Sequence, residues 1–248
     1  MLRRMEYLTN QQESGINTDM MDTNSAENLA PVSLEPEHLA ALLCARLCHD
    51  LVSPVAALGA ALSVLDDEDA ADMRDDALEL VRESAKQAQA KLEFARLAFG
   101  AGGSAPGMID CVELKRLATG LFNTVKPDLV WKVASPSLEK SAARLLLNLC
   151  ILGIEAAPRG GTVTVEATES GGGARIHVLA EGLKAKIDPK HSAALEGAKP
   201  EDGFDGRSIQ PYYAGLIARS TGGRVTASSA EDRVEFVALV AGPAQVAA

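Results

Sequence analysis

Leu39, Leu43, Leu47, Leu51, Val55, Leu58, Leu62 and Leu65 recur at intervals of three and four. That spacing predicts one long helix, from about Pro36 to Leu65, with a single apolar stripe. Ser33 or the Glu35-Pro36 pair can start it, because proline is well tolerated in a first helical turn. Asp66-Asp67-Glu68-Asp69 reads as a turn, and its charge suits the start of a following helix. That second helix is expected from about Ala70 to Phe99, with Leu78, Val81, Ala85, Ala88, Leu92, Ala95 and Phe99 as its stripe.

Two such helices joined by a short turn form a long antiparallel hairpin over residues 34–100. One hairpin cannot cover both stripes along their length. A second copy would complete a four-helix bundle, so a homodimer is expected. The segment before it, 1–33, is polar and without apolar period, and reads as a disordered tail. Residues 101–107, rich in glycine, read as an interdomain linker.

Beyond the linker the pattern shortens. Val112–Asn123 and Leu138–Ala157 look helical, and Leu129–Ala134 looks like a strand. Thr162–Thr168 and Ala174–Ala180 flank Gly171-Gly172-Gly173, a hairpin signature. A helix over Ile209–Ser220 and strands over Arg224–Ser228 and Val234–Val240 complete residues 108–248. The fold class is α+β: a helical hairpin followed by an α/β sandwich, one mixed sheet with helices on one face.

The chain has 248 residues and a formal net charge of −10. An acidic chain is poorly suited to nucleic acid, which needs a basic surface to neutralise phosphates. No run of about eighteen uninterrupted apolar residues is present, so no membrane span is expected. Met1-Leu2-Arg3-Arg4 lacks a following apolar stretch, so no signal peptide is expected either. Cys44, Cys48, Cys111 and Cys150 include no Cys-x-x-Cys pair, which suits a reducing cytoplasm. Cys44 and Cys48, one helical turn apart beside His49, read as small core residues. A zinc site would need two further ligands at suitable spacing.

The sharpest local feature is His49-Asp50-Leu51-Val52-Ser53-Pro54, in the middle of the first helix. His49 lies about 200° from both Leu47 and Leu51, so it faces away from the seam. Pro54 removes the donor for the Asp50 carbonyl, so the turn that holds His49 should kink or loosen. The Asp50 carboxylate can hold the imidazole tautomer or accept a departing proton. Arg46, one turn earlier, could neutralise a transferring phosphoryl group or meet an acidic partner. Val52, Ser53, Ala56 and Gly59, small or modest in size, complete a candidate docking surface with Arg46. His38, His177 and His191 have no evident partner sets and read as structural or solvated.

His49-Asp50-Leu51-x-x-Pro54 resembles the phosphoacceptor motif of two-component histidine kinases, and hairpin, linker and α/β domain follow in the order those kinases use. In that family the α/β domain binds ATP through Asn and Gly boxes. Leu147–Gly161 is similar to the Asn box, but Leu152-Gly153 stands where kinases carry Asn-Ala, and leucine cannot ligate a hard cation. Ala180-Glu181-Gly182-Leu183-Lys184 stands where they carry Asp-x-Gly-x-Gly. Ser208-Ile209-Gln210-Pro211 lacks the last box's glycines. An intact phosphoacceptor motif beside three lost nucleotide contacts resembles the ChpT-type histidine phosphotransferases of alphaproteobacteria.

That resemblance implies a homodimeric phosphorelay intermediate. It would accept phosphate on His49 from the receiver domain of the hybrid kinase CckA and pass it to the receivers of CtrA and CpdR, which control the cell cycle. No cofactor is expected on the chain itself; magnesium would sit on the partner receiver. An active kinase with a divergent pocket, or a dimeric interaction module with an inert His49, are the rival readings.

Overall fold

The computed structural model describes residues 31–100, 107–170 and 173–241. The expected tail up to residue 30, the linker over 101–106 and the Gly171-Gly172 turn lie outside the described residues.

Helix α1 spans Pro36–Asp66, starting with Pro36 in its first turn and running without interruption through Pro54. The return helix starts later than its periodicity suggests. Glu68–Met73 forms a 3₁₀ segment, in which the Asp67 carboxylate accepts from the Asp69 N–H and Ala70 leaves helical geometry. That local side-chain bond competes with the α-helical register, so α2 is Arg74–Ala98. Residues 31–34, placed by sequence largely in the tail, are anchored. The Tyr212 hydroxyl donates to the Val32 carbonyl at 2.8 Å, and the Val32 N–H donates to the Gly197 carbonyl at 2.9 Å.

The second region opens with β1 (Met108–Asp110) and α3 (Cys111–Phe122), followed by β2 (Asp128–Trp131) and β3 (Ser137–Glu139). Then come α4 (Lys140–Ala156), β4 (Thr162–Ser170), β5 (Gly173–Glu181), α5 (Pro189–Glu196), α6 (Ile209–Ser220), β6 (Arg224–Ala230) and β7 (Arg233–Val240). The main sheet has the order β2-β4-β5-β7-β6, with β2 and β4 parallel and the other pairs antiparallel. β1 and β3, each too short to show a period, form a separate antiparallel ribbon. α5 also went unread, although Asp188 caps it, Pro189 opens it and Gly197 closes it at φ +98°.

One core runs through the molecule. Leu145, Leu146 and Leu149 of α4 are fully buried with Val163, Ile176, Val178 and Phe236 of the sheet. Phe94 and Ala98 of α2 belong to the same core, and Leu39 and Leu43 of α1 pack against it. Each such large side chain contributes about 1.5–3 kcal/mol relative to exposure. The lower half of the hairpin is therefore seated on the α/β region. Buried Asn148 fastens this junction: its Nδ2 donates to the Ala98 carbonyl at the end of α2 (2.9 Å), and its Oδ1 accepts from Gln210 of α6 (2.6 Å). α6 can lie close to α5 because Gly215 has no side chain; a Cβ there would fall 1.9 Å from the Leu195 carbonyl oxygen.

Candidate functional site

His49 sits at the middle of α1, at the edge of a cleft against the α/β region, with a side chain 64% exposed. Leu47 and Leu51, flanking it in sequence, are half-buried, and Leu47 lies beside Leu92 and Ala95 of α2. The 3.6-residue period thus turns the ring outward. Its Nδ1 lies 3.3 Å from Asp50 Oδ1. A carboxylate accepts, so the contact suits the neutral tautomer with its proton on Nδ1 and its lone pair on Nε2.

The other carboxylate oxygen is also held. Arg46 Nε donates to Asp50 Oδ2 at 3.0 Å, and Arg46 Nη2 pairs with Glu155 Oε1 at 2.7 Å. Arg46 is buried, with a side chain only 8% exposed. Burial opposes its charge, but the Glu155 and Asp50 carboxylates outweigh that, and the guanidinium is held more firmly protonated than usual. The result is a polar chain, Glu155–Arg46–Asp50–His49, that crosses from α4 to α1.

This placement corrects the reading of Arg46 as a docking residue. Two carboxylates and the Gly206 carbonyl already occupy its donors, and its charge is covered. Val52, Ser53, Ala56 and Gly59 are exposed on α1, and a Cβ added at Gly59 would meet nothing within 4 Å. The reading of Cys44 and Cys48 as core residues is likewise overturned: both are exposed, while Cys111 and Cys150 are buried. They lie on the side of α1 that faces neither α2 nor the α/β region, which a stripe count alone does not distinguish from the buried side.

Pro54 is buried, and the acceptor it frees is not left open. Lys91 Nζ of α2 donates to the Asp50 carbonyl at 3.0 Å. Lys91 and Glu155 were both missed as site residues. Lys91 lies 41 residues from Asp50, on no apolar stripe, and no local pattern announces it. Glu155 lies inside the stretch that resembles the Asn box, three residues after Leu152, and nothing local to it points to α1.

Below His49 a cleft of 410 Å³ separates α1 from the α/β region. Arg46, Glu155, Lys186, His191 and Arg207 line it, with Leu152 at its floor. His191 therefore shares the cleft with His49, which sequence did not show. His177 also has partners after all: its Nε2 lies 2.7 Å from Glu235 Oε1, and its Nδ1 3.4 Å from Glu166 Oε2, all on the sheet.

The residues that stand where kinases carry their nucleotide boxes are buried. Leu152 is 3% exposed and Ala180 fully buried. Gly153 lets α4 lie against the sheet, since a Cβ would fall 2.8 Å from Val163 Cγ1. Ile209, Gln210 and Pro211 are buried in the first turn of α6, and Gln210 is committed to Asn148. Among the described residues no group of three or more His, Cys, Asp or Glu side chains is placed to hold a metal ion.

Comparison with known proteins agrees with this geometry. Residues 111–233 match the family described as the histidine phosphotransferase C-terminal domain. The chain is 39% identical to protein phosphotransferase ChpT of Brucella abortus (strain 2308) over 208 residues, 84% of this chain and 98% of that one. A solved structure of a bacterial phosphotransferase superposes with a TM-score of 0.76 at 36% identity, covering 84% of this chain and 98% of the other. The histidine kinase AdeS of Acinetobacter baumannii is more distant, with a TM-score of 0.43 at 13% identity over 78% of this chain and 97% of that one. The hairpin with its exposed histidine, the α/β domain behind it and the extent of these matches make the chain a member of the ChpT-type histidine phosphotransferase family.

Proposed function

We propose that His49 is the phosphoacceptor, and that the chain relays a phosphoryl group between receiver aspartates without using ATP. One observation carries this: an exposed imidazole whose Nδ1 is tied to Asp50, leaving Nε2 free toward solvent. Nε2 attacks the phosphorus of a receiver's aspartyl phosphate in line. The N–P bond forms as the P–O bond breaks, and the receiver carboxylate leaves with the electron pair. The ring becomes cationic in the process, and Asp50 stabilises that charge through Nδ1–H. Magnesium belongs to the receiver, which supplies most of the charge compensation. An acyl phosphate is already energetic, so no nucleotide is needed. The burial of Leu152 and Ala180, which stand where kinases carry nucleotide-box residues, supports that reading.

The receivers of CckA, CtrA and CpdR are the proposed partners, docking on α1 around Val52, Ser53, Ala56 and Gly59. A second copy is the proposed cover for the remaining apolar surface. Val55, Leu62 and Leu92 are exposed by 56%, 51% and 47%, on a hairpin that projects beyond its own core. By length and composition alone α1 could also cross a membrane. Arg46, His49 and Asp50 at its middle make a lipid setting costly, so we assign its apolar surface to a protein partner in a cytoplasmic dimer.

The test is a transfer assay from a phosphorylated receiver. The wild-type protein, sedimenting at twice the chain mass, is expected to take up label within the mixing time. His49→Gln is expected to take up none, and ATP alone to label neither. Equal uptake by both proteins would remove His49 from the reaction. Labelling of His49 by ATP would make the chain a kinase.

A further inference from the structure

We infer that Lys91 is a positioning residue for phosphotransfer: it supplies the hydrogen bond that Pro54 takes away from the turn carrying His49. In a regular helix the N–H of residue 54 would donate to the carbonyl of residue 50. Proline has no N–H, so the Asp50 carbonyl is orphaned inside the helix. An orphaned carbonyl in a partly buried site is costly and draws water or loosens the turn. Here a side chain from the other helix of the hairpin closes it, with Lys91 Nζ at 3.0 Å.

Three features make this more than a passing surface contact. Lys91 is half-buried, so its donor competes less with water than a free lysine would. Among the described residues its ammonium has no carboxylate partner, and the carbonyl is the acceptor it reaches. The residue so held is Asp50, whose side chain orients His49 and is itself held by Arg46. Asp50 is thus fixed at both ends, its carboxylate by Arg46 and its carbonyl by Lys91. The proline opens the backbone beside the nucleophile, and the lysine defines what conformation the opened turn keeps.

The inference rests on the reading of His49 as phosphoacceptor, and a double-mutant cycle separates the two. Lys91→Met keeps the stem and removes the donor. Its rate of label uptake from a phosphorylated receiver is expected to fall about tenfold, the size of one charge-assisted hydrogen bond. Lys91→Arg, which keeps a charged donor, is expected to recover most of the rate. In a Pro54→Ala background the backbone N–H returns, and Lys91→Met is expected to cost less than about twofold. Amide exchange of residues 50–58, measured without any phosphate, is expected to quicken about tenfold in Lys91→Met. A wild-type rate in Lys91→Met would overturn the inference. So would an undiminished loss in the Pro54→Ala background, which would mean that the charge acts and not the bond. If His49 takes no label in the wild type, that reading fails by itself, and unchanged exchange in Lys91→Met would sink the lysine independently.

Discussion

The turn around His49 and the wall around Leu152 lie on opposite sides of one cleft, and they have solved opposite problems. At His49 the polar groups are exposed or half-exposed, and those that matter are held: Nδ1 by Asp50, the Asp50 carboxylate by Arg46, its carbonyl by Lys91. Around Leu152 and Ala180 the wall itself is apolar, with side chains at zero to a few per cent exposure, and the charged groups stand at the rim of the cleft. A transfer site needs a defined, accessible ring and tolerates water around it. A wall built of apolar side chains needs only to be filled, because an empty or half-polar cavity costs stability. Glu155 is where the α/β region reaches across to the turn that carries His49.

The largest expected effect comes from forcing the second region to resemble a working pocket. Leu152→Asn with Ala180→Asp places an amide and a carboxyl at two almost fully buried positions. Unfolding in urea should show a loss of at least about 3–5 kcal/mol, with no gain of ATP binding. A double variant that keeps its stability and binds nucleotide would reduce the difference between the two regions to two side chains.

A smaller effect is expected from cutting the chain that joins them. Arg46→Met leaves Asp50 and Glu155 as carboxylates about 30% exposed, able to rehydrate in part. The stability loss should be about 1–3 kcal/mol, below that of a fully buried pair. Transfer should slow about tenfold, because Asp50 can then rotate away from His49. Glu155→Gln still offers an oxygen to Arg46, and should cost less in both respects. Adding Glu155→Gln to Arg46→Met should cost little more, since the two act through one contact. Additive losses, or a wild-type transfer rate in Arg46→Met, would show that the two sides of the cleft are uncoupled.

Much of this was legible in the sequence where periodicity or a contiguous motif carried the information. The stripe through Leu47, Leu51 and Leu58 placed His49 outward, and the Ile209–Ser220 helix matched residue for residue. The partners of the site were not legible, for a physical reason. Arg46 looks free in one dimension, and only the fold brings Glu155 to it across more than a hundred residues. The Pro54 donor deficit was visible, but its remedy lay on another helix. Short elements failed differently. Three-residue strands such as β1 have no period to read, and the Asp67 turn shifted the start of α2 by side-chain bonding that hydrophobic patterning does not register.

The smallest expected effect lies at the rim of the cleft and tests whether loop order there matters to the site. Asp205 accepts from the Ser208 and Arg207 backbone N–H groups and from the Ser208 hydroxyl, which caps the entry to α6 beside Arg207. The Ser208 N–H, most of all, holds its carboxyl below the ordinary aspartate value. A depressed folded-state value means that the stabilisation is complete above the unfolded value, near about pH 4. It is lost as pH falls through the lower, folded value. Asp205→Ala should cost about 1 kcal/mol at neutral pH, the usual size for a cap, and should flatten that acid limb of the stability curve. Because the Gly206 carbonyl touches Arg46, a loosened loop should also raise the exchange of the Arg46 guanidinium protons. If Asp205→Ala leaves both the acid limb and that exchange unchanged, the rim is independent of the site. The ion pair of Arg46 with Glu155 would then be the contact that ties the site to the α/β region, without help from the rim loop.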